Sequence, residues 1–182
     1  MKQQMVNDLN RRLLSNHLEK KSDLAEKEIR VPAKYFFDEK HFCLEKEALF
    51  LNVAQPVAFS SEIPAPNNFL ALEVLNTPVL LTRDDKGSLR AFINACSHRG
   101  AKVANGAGGN RRLICEFHGW SYALDGTLTG RPQDSCFSTD KSECSLIKLP
   151  VSESCGIVLV GLTEKIGVSP KDAGFGPLRE EL

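Results

Sequence analysis

Cys96-Ser97-His98 and Cys115-Glu116-Phe117-His118 place four soft or borderline metal donors in two pairs, C-x-H and C-x-x-H, with sixteen residues between them. Each pair is short enough to project from a single loop tip. Thiolate and imidazole together select zinc or an iron–sulfur centre over the hard cations, which take oxygen. A structural zinc site is the simpler reading. Such sites, however, usually pair like with like, as C-x-x-C and H-x-x-x-H. Here each loop supplies one Cys and one His. If one metal takes two thiolates and a second takes two imidazoles, mixed loops let each loop span both metals. The donor order therefore suits a [2Fe–2S] centre with two Cys on one iron and two His on the other. Zinc stays open as the alternative.

Two loop tips face each other only if a rigid support holds them, and the flanking pattern predicts one. Residues 69–75 and 77–83 read as strands. Asp84-Asp85-Lys86-Gly87 reads as a turn, and residues 88–95 as the returning partner. Further short strands are expected at 112–115, 120–124, 146–149 and 157–162, with Asp125-Gly126 marking another hairpin. The Gly-rich stretch 106–110 reads as a loop between the two donor segments, since no helical pattern follows it to make a phosphate site. Short strands at this spacing predict a small antiparallel sandwich or barrel rather than a βαβ fold. Ahead of it, Val6, Leu9, Leu13, His17 and Leu18 recur at helical spacing, so residues 1–30 read as helix. A second helix is expected over 38–50, with Asp38 as its N-cap.

The 182 residues carry 23 basic and 23 acidic side chains. That balance argues against a basic nucleic-acid binder. The longest apolar run, 156–162, is far short of the roughly 20 residues of a membrane span, and no apolar leader opens the chain. The expectation is a cytoplasmic protein in a reducing setting, where six Cys point to metal binding or inert packing rather than disulfides. Cys155 reads as a buried small hydrophobe at the start of a strand. Cys136 and Cys144 have no further donor at ligand spacing. His17 and His41, the remaining histidines, stand 24 residues apart in charged helical segments and read as surface residues.

The motif NACSHRGAKV…CEFHGWSY resembles the Rieske domain of ring-hydroxylating oxygenases, in their α (terminal oxygenase) subunits. The likeness extends to the approach strand Arg90 to Cys96, the exit hairpin Tyr122 to Leu128, and the preceding helix with Phe42, Glu45, Leu49 and Phe50. The chain departs from it at Glu116, where Pro is common. The resemblance implies a mostly β, Rieske-type antiparallel fold with two cluster-binding loops, preceded by one or two N-terminal helices. It implies a [2Fe–2S] cluster on Cys96, His98, Cys115 and His118. It divides the chain into a helical segment 1–52, a Rieske domain 53–165 and a linker 166–182 toward a catalytic domain. The implied function is one-electron transfer from a ferredoxin or NAD(P)H-dependent reductase to a mononuclear Fe(II) in a catalytic domain or subunit, in a homotrimer. With only His17 and His41 to spare, that Fe(II) site is expected outside this chain.

Two other readings stay open: a stand-alone Rieske ferredoxin, and a zinc-stapled interaction module without redox chemistry. Between Cys96 and His118 the basic residues Arg99, Lys102, Arg111 and Arg112 outnumber one acid, Glu116. Such a rim would steer an acidic redox partner. The resemblance also bears on potential. High-potential Rieske proteins carry an extra Cys in each loop, joined as a disulfide, and a Ser directly after the second His-Gly. Here Ala101, Phe117 and Trp120 occupy those positions, so a low potential is expected.

Overall fold

The computed structural model describes residues 3–25 and 27–168. Helix α1 covers Gln3–Leu18 and buries none of its residues. It is shorter than the sequence predicts. Lys20 turns to a φ of 50°, and Asp23 folds back to pair with Arg12 at 2.9 Å. Helix α2, Glu39–Glu45, starts where expected: the Asp38 carboxylate accepts from the amides of Lys40 (2.9 Å) and His41 (3.3 Å). It runs on as a π-helical turn, Lys46–Leu51.

Eleven strands follow among the described residues, all paired antiparallel. β1 (Gln55–Phe59), β10 (Val151–Ser154) and β11 (Ile157–Val160) form one sheet, in the order β1-β11-β10. β2 (Asn68–Val74), β3 (Thr77–Arg83), β4 (Leu89–Ile93), β5 (Ala107–Gly109) and β9 (Lys148–Leu149) form the central sheet, in the order β5-β2-β3-β4-β9. β6 (Leu113–Ile114), β7 (Ser121–Tyr122) and β8 (Leu128–Gly130) make the third.

The middle of the central sheet, β3 and β4, is buried on both faces, which explains why Val79-Leu80-Leu81 is a continuous apolar run rather than an alternation. Val79, Leu81 and Ala91 pack with Ile63, Leu149, Val158 and Val160 on one side. Leu80 and Phe92 face the other way, into a second core with Cys96, Cys115, Trp120, Tyr122, Leu124 and Leu128. The donor-bearing loops thus grow from a core of their own. The two cores meet across β3, whose Thr82 hydroxyl donates to the Leu124 carbonyl at 2.6 Å.

Two expectations need correction. The Gly-rich 106–110 contains β5, which extends the central sheet by pairing with β2. Cys155 is exposed and sits at a φ of 51°, followed by Gly156 at 76°, in the two-residue turn that joins β10 to β11. Residues 166–168 are partly packed: Ile166 joins Ala54 and Leu159 in a small third cluster. The remainder of the stretch read as a linker lies outside the described residues. Among the described residues no helix is long and apolar enough to cross a membrane.

Candidate metal centre

The two donor loops close in the same way. In the first, the Gly100 amide donates to the Cys96 carbonyl (2.8 Å) and the Cys96 amide to the Ala101 carbonyl (2.7 Å). In the second, the Gly119 amide donates to the Cys115 carbonyl (2.9 Å) and the Cys115 amide to the Trp120 carbonyl (2.8 Å). Both closures need a left-handed residue at the fourth position after Cys. Gly100 and Gly119 supply it, with φ of 73° and 72°. The shared closure explains the HRG and HGW spacing: His projects from the tip and Gly turns the chain home.

Asn94 anchors the base of the first loop. Its side chain is buried, donates to the Ala104 carbonyl (2.8 Å) and accepts from the Val103 (2.9 Å) and Ala104 (3.2 Å) amides. The span from Asn94 to Ala104, which carries Cys96 and His98, is stapled shut by this one side-chain amide.

The structure brings the predicted donors together two by two. The Nδ1 atoms of His98 and His118 stand 3.1 Å apart, with their rings at 71°. Two nitrogens each about 2.1 Å from one metal, at an angle near 95°, are separated by this same distance. Cys96 and Cys115 stand beside each other, both buried and neither in a disulfide. Burial pushes the Cys96 thiol above its ordinary pKa and Cys115 beside it adds to that, against the pull of the Tyr122 hydroxyl. A buried pair of sulfurs gains anionic character cheaply only beside metal cations. Burial also lowers the His98 pKa, helped by His118 and Arg99, which favours the neutral, ligating imidazole. No three His, Cys, Asp or Glu side chains among the described residues surround a single metal-sized point. The donors stand as an imidazole pair and a thiol pair, the two-and-two set that a binuclear iron–sulfur centre takes.

Tyr122 ties the pairs to the core. Its hydroxyl oxygen accepts from the Ser97 amide (3.1 Å) and lies 3.2 Å from Cys96 Sγ. Burial, with the Cys96 sulfur beside it, holds the phenol well above its usual pKa, so it stays protonated. Trp120 is buried and stacks on His98, ring centres 5.0 Å apart and planes within 8°. His118 is exposed, with Phe117 4.0 Å away. Of the expected basic rim, Arg99, Lys102, Arg111 and Arg112 are all exposed, but Arg111 lines a cavity with Asp84, Asp85 and Arg90 at the β3–β4 turn. His41 pairs instead with Glu45 at 3.1 Å, far along the chain on α2. Arg131, which no sequence signal singled out, is buried behind Trp120.

Comparison with known proteins agrees with this geometry. Residues 53–150 match the Rieske [2Fe-2S] domain family. The chain belongs to that family, and its relatives are oxygenase subunits. It is 34% identical over 135 residues to a carnitine monooxygenase oxygenase subunit of Acinetobacter baumannii, covering 73% of this chain and 36% of the relative. It is 35% identical over 146 residues to the anthranilate 1,2-dioxygenase large subunit of Acinetobacter baylyi, covering 79% and 31%. Among solved structures, the apo form of a quaternary ammonium Rieske monooxygenase superposes with a TM-score of 0.76 at 29% identity, over 84% of this chain and 44% of that one. Naphthalene 1,2-dioxygenase from a Rhodococcus species does so with a TM-score of 0.74 at 26% identity, over 82% and 34%. The chain spans about a third of the length of the curated relatives it matches.

Proposed function

We propose that this chain is the electron-relaying part of a Rieske oxygenase. Cys96 and Cys115 hold one iron of a [2Fe–2S] cluster as thiolates, and His98 and His118 hold the other through Nδ1. The observation that carries this reading is the 3.1 Å approach of the two Nδ1 atoms, carried on the same two loops as a buried pair of thiols. When bound, the cluster supplies reversible one-electron carriage.

The chain's own residues hold and orient. Gly100 and Gly119 close the loops, Asn94 locks the base of the first, and Tyr122 directs its O–H at Cys96 Sγ. The buried Cys pair excludes water from the sulfur side, while the exposed His118 leaves the imidazole side open to a partner. In this reading electrons arrive from a ferredoxin or NAD(P)H-dependent reductase of acidic surface, to which exposed Arg99 beside His98 is complementary. They leave for a mononuclear Fe(II) in a catalytic oxygenase domain or subunit, within a homotrimer and in the cytoplasm. The reading also divides the chain into a helical segment 1–52, a Rieske domain 53–165 and a linker 166–182. The family match over 53–150 supports its middle part.

Substitution at the donors tests it. C96S and H118A each leave three donors, and should lose the brown colour and most of the iron, because both loops close on one shared centre. Full iron and acid-labile sulfide in either variant would contradict the assignment, as would stoichiometric zinc in the wild type.

A further inference from the structure

The loop that follows β8, residues 131–145, is organised around a buried cation. The Arg131 side chain is 4% exposed. It donates from Nε to Asp134 Oδ1 (2.7 Å) and from Nη2 to the Thr139 carbonyl (3.0 Å), with Nη2 also paired to Asp134 Oδ1 at 2.6 Å. Asp134 Oδ2 takes Lys141 Nζ at 2.8 Å. The guanidinium carbon lies 4.5 Å from the Phe137 ring centre and 5.6 Å from that of Trp120. Phe137 meets Trp120 edge-on at 5.5 Å and His98 at 6.1 Å. Trp120 in turn lies flat on His98.

The same loop touches both donor loops. The Ser145 carbonyl accepts from Ser97 Oγ at 3.1 Å, and Pro132 packs where a Cβ on Gly119 would meet it at 3.4 Å. The two imidazoles are therefore unequal. His98 is half-buried in an aromatic stack backed by Arg131, and His118 is exposed.

Two consequences follow from the stack. The ring that fixes the orientation of His98 is itself fixed by Arg131, through a cation over an aromatic face. The charge of Arg131 also bears on the centre more than those of Asp134 and Lys141. Their side chains are 46% and 39% exposed and are screened by water and salt. A buried positive charge favours the state with one more electron.

We propose that Arg131 is a positioning residue for the metal centre: through Trp120 and Phe137 it holds the His98 imidazole, and its charge eases reduction. This rests on the donor assignment made above. The test compares wild type, R131M and R131K, each carrying its cluster. The readouts are the midpoint potential, the histidine-nitrogen couplings in pulsed EPR, and acrylamide quenching of Trp120, the chain's only tryptophan.

R131M should lower the equilibrium constant for reduction about threefold, which at 59 mV per tenfold is about 28 mV. It should alter the coupling of one histidine and leave the other, and about double the quenching of Trp120. R131K keeps the charge and loses the planar fork. It should restore the potential while the altered coupling remains. A loaded R131M with wild-type potential and couplings overturns the proposal. If R131M does not load, R131K decides alone: wild-type couplings and quenching there overturn it. A wild type that binds no cluster overturns the donor assignment first, and is recognised before any variant is made.

Discussion

The Tyr122 hydroxyl stands 3.2 Å from Cys96 Sγ while accepting from the Ser97 amide. Because that oxygen already accepts a hydrogen bond from the backbone amide, its own O–H is left to donate to sulfur. Such a bond is strongest when the sulfur is most electron-rich, which is the reduced state of a bound cluster. Y122F should therefore load normally and reduce less readily. A bond to a charged acceptor contributes about 1.5–3 kcal/mol. If about 1 kcal/mol of it distinguishes the two redox states, the potential falls by roughly 40 mV. Voltammetry on Y122F reads this directly; an unchanged potential would show that the hydroxyl serves packing alone.

The wild-type potential should lie in the lower part of the Rieske range, below about 0 mV on a scale of roughly −150 to +300 mV. Ala101 and Phe117 provide no thiols for a disulfide between the donor loops. Trp120 offers His98 a ring face where high-potential proteins place a hydroxyl donor. Tyr122 is thus left as the side-chain donor to Cys96 Sγ among the described residues. Exposed Arg99 beside His98 acts in the opposite direction but is screened at physiological salt. A midpoint above about +150 mV would mean that another donor reaches the sulfurs.

Asp84 links the β3–β4 turn to pH. Its Oδ1 accepts from the Lys86 (3.0 Å) and Ser88 (2.8 Å) amides, and its Oδ2 from Arg90 Nη2 (3.0 Å). Burial alone would raise the Asp84 pKa, but these partners together hold it below the ordinary aspartate value. A carboxylate with a lowered folded-state pKa stabilises the fold above its unfolded pKa of about 3.9, and that contribution is lost as pH falls through the folded value. D84N should cost about 1–2 kcal/mol at pH 7, and the gap to wild type should close as the pH is taken below about 4. Unfolding midpoints of both proteins across this range provide the check. A gap that does not depend on pH would contradict the account.

The donor set, the β2–β3–β4 meander and the Asp38 cap were all legible in the sequence, because each is written in local spacing. What escaped the sequence depends on partners distant along the chain. β5 is Ala-Gly-Gly with every residue exposed, so it has no alternation to read. β1 contains Pro56, a strand breaker that is tolerated because β1 is an edge of its sheet. Cys155 stands in a strand-like run, yet the register of β10 against β11 makes it a turn residue. α1 looked longer because the charged residues after Leu18 carry no stop signal other than the backbone turn at Lys20. Arg131 is eleven residues from Trp120, and nothing in local spacing shows that the loop folds back to bring it over the indole. Tyr122 stood out in sequence through its family position alone, and its sulfur contact needed coordinates.

The most direct test of the central claim is pulsed EPR on the dithionite-reduced protein, made with and without ¹⁵N-labelled histidine, alongside iron and sulfide analysis. The account predicts two iron and two acid-labile sulfide per chain, and an unpaired electron coupled to two histidine nitrogens whose signals change with the label. An iron–sulfur signal with no histidine coupling would contradict it, as would a protein that holds one zinc and no sulfide.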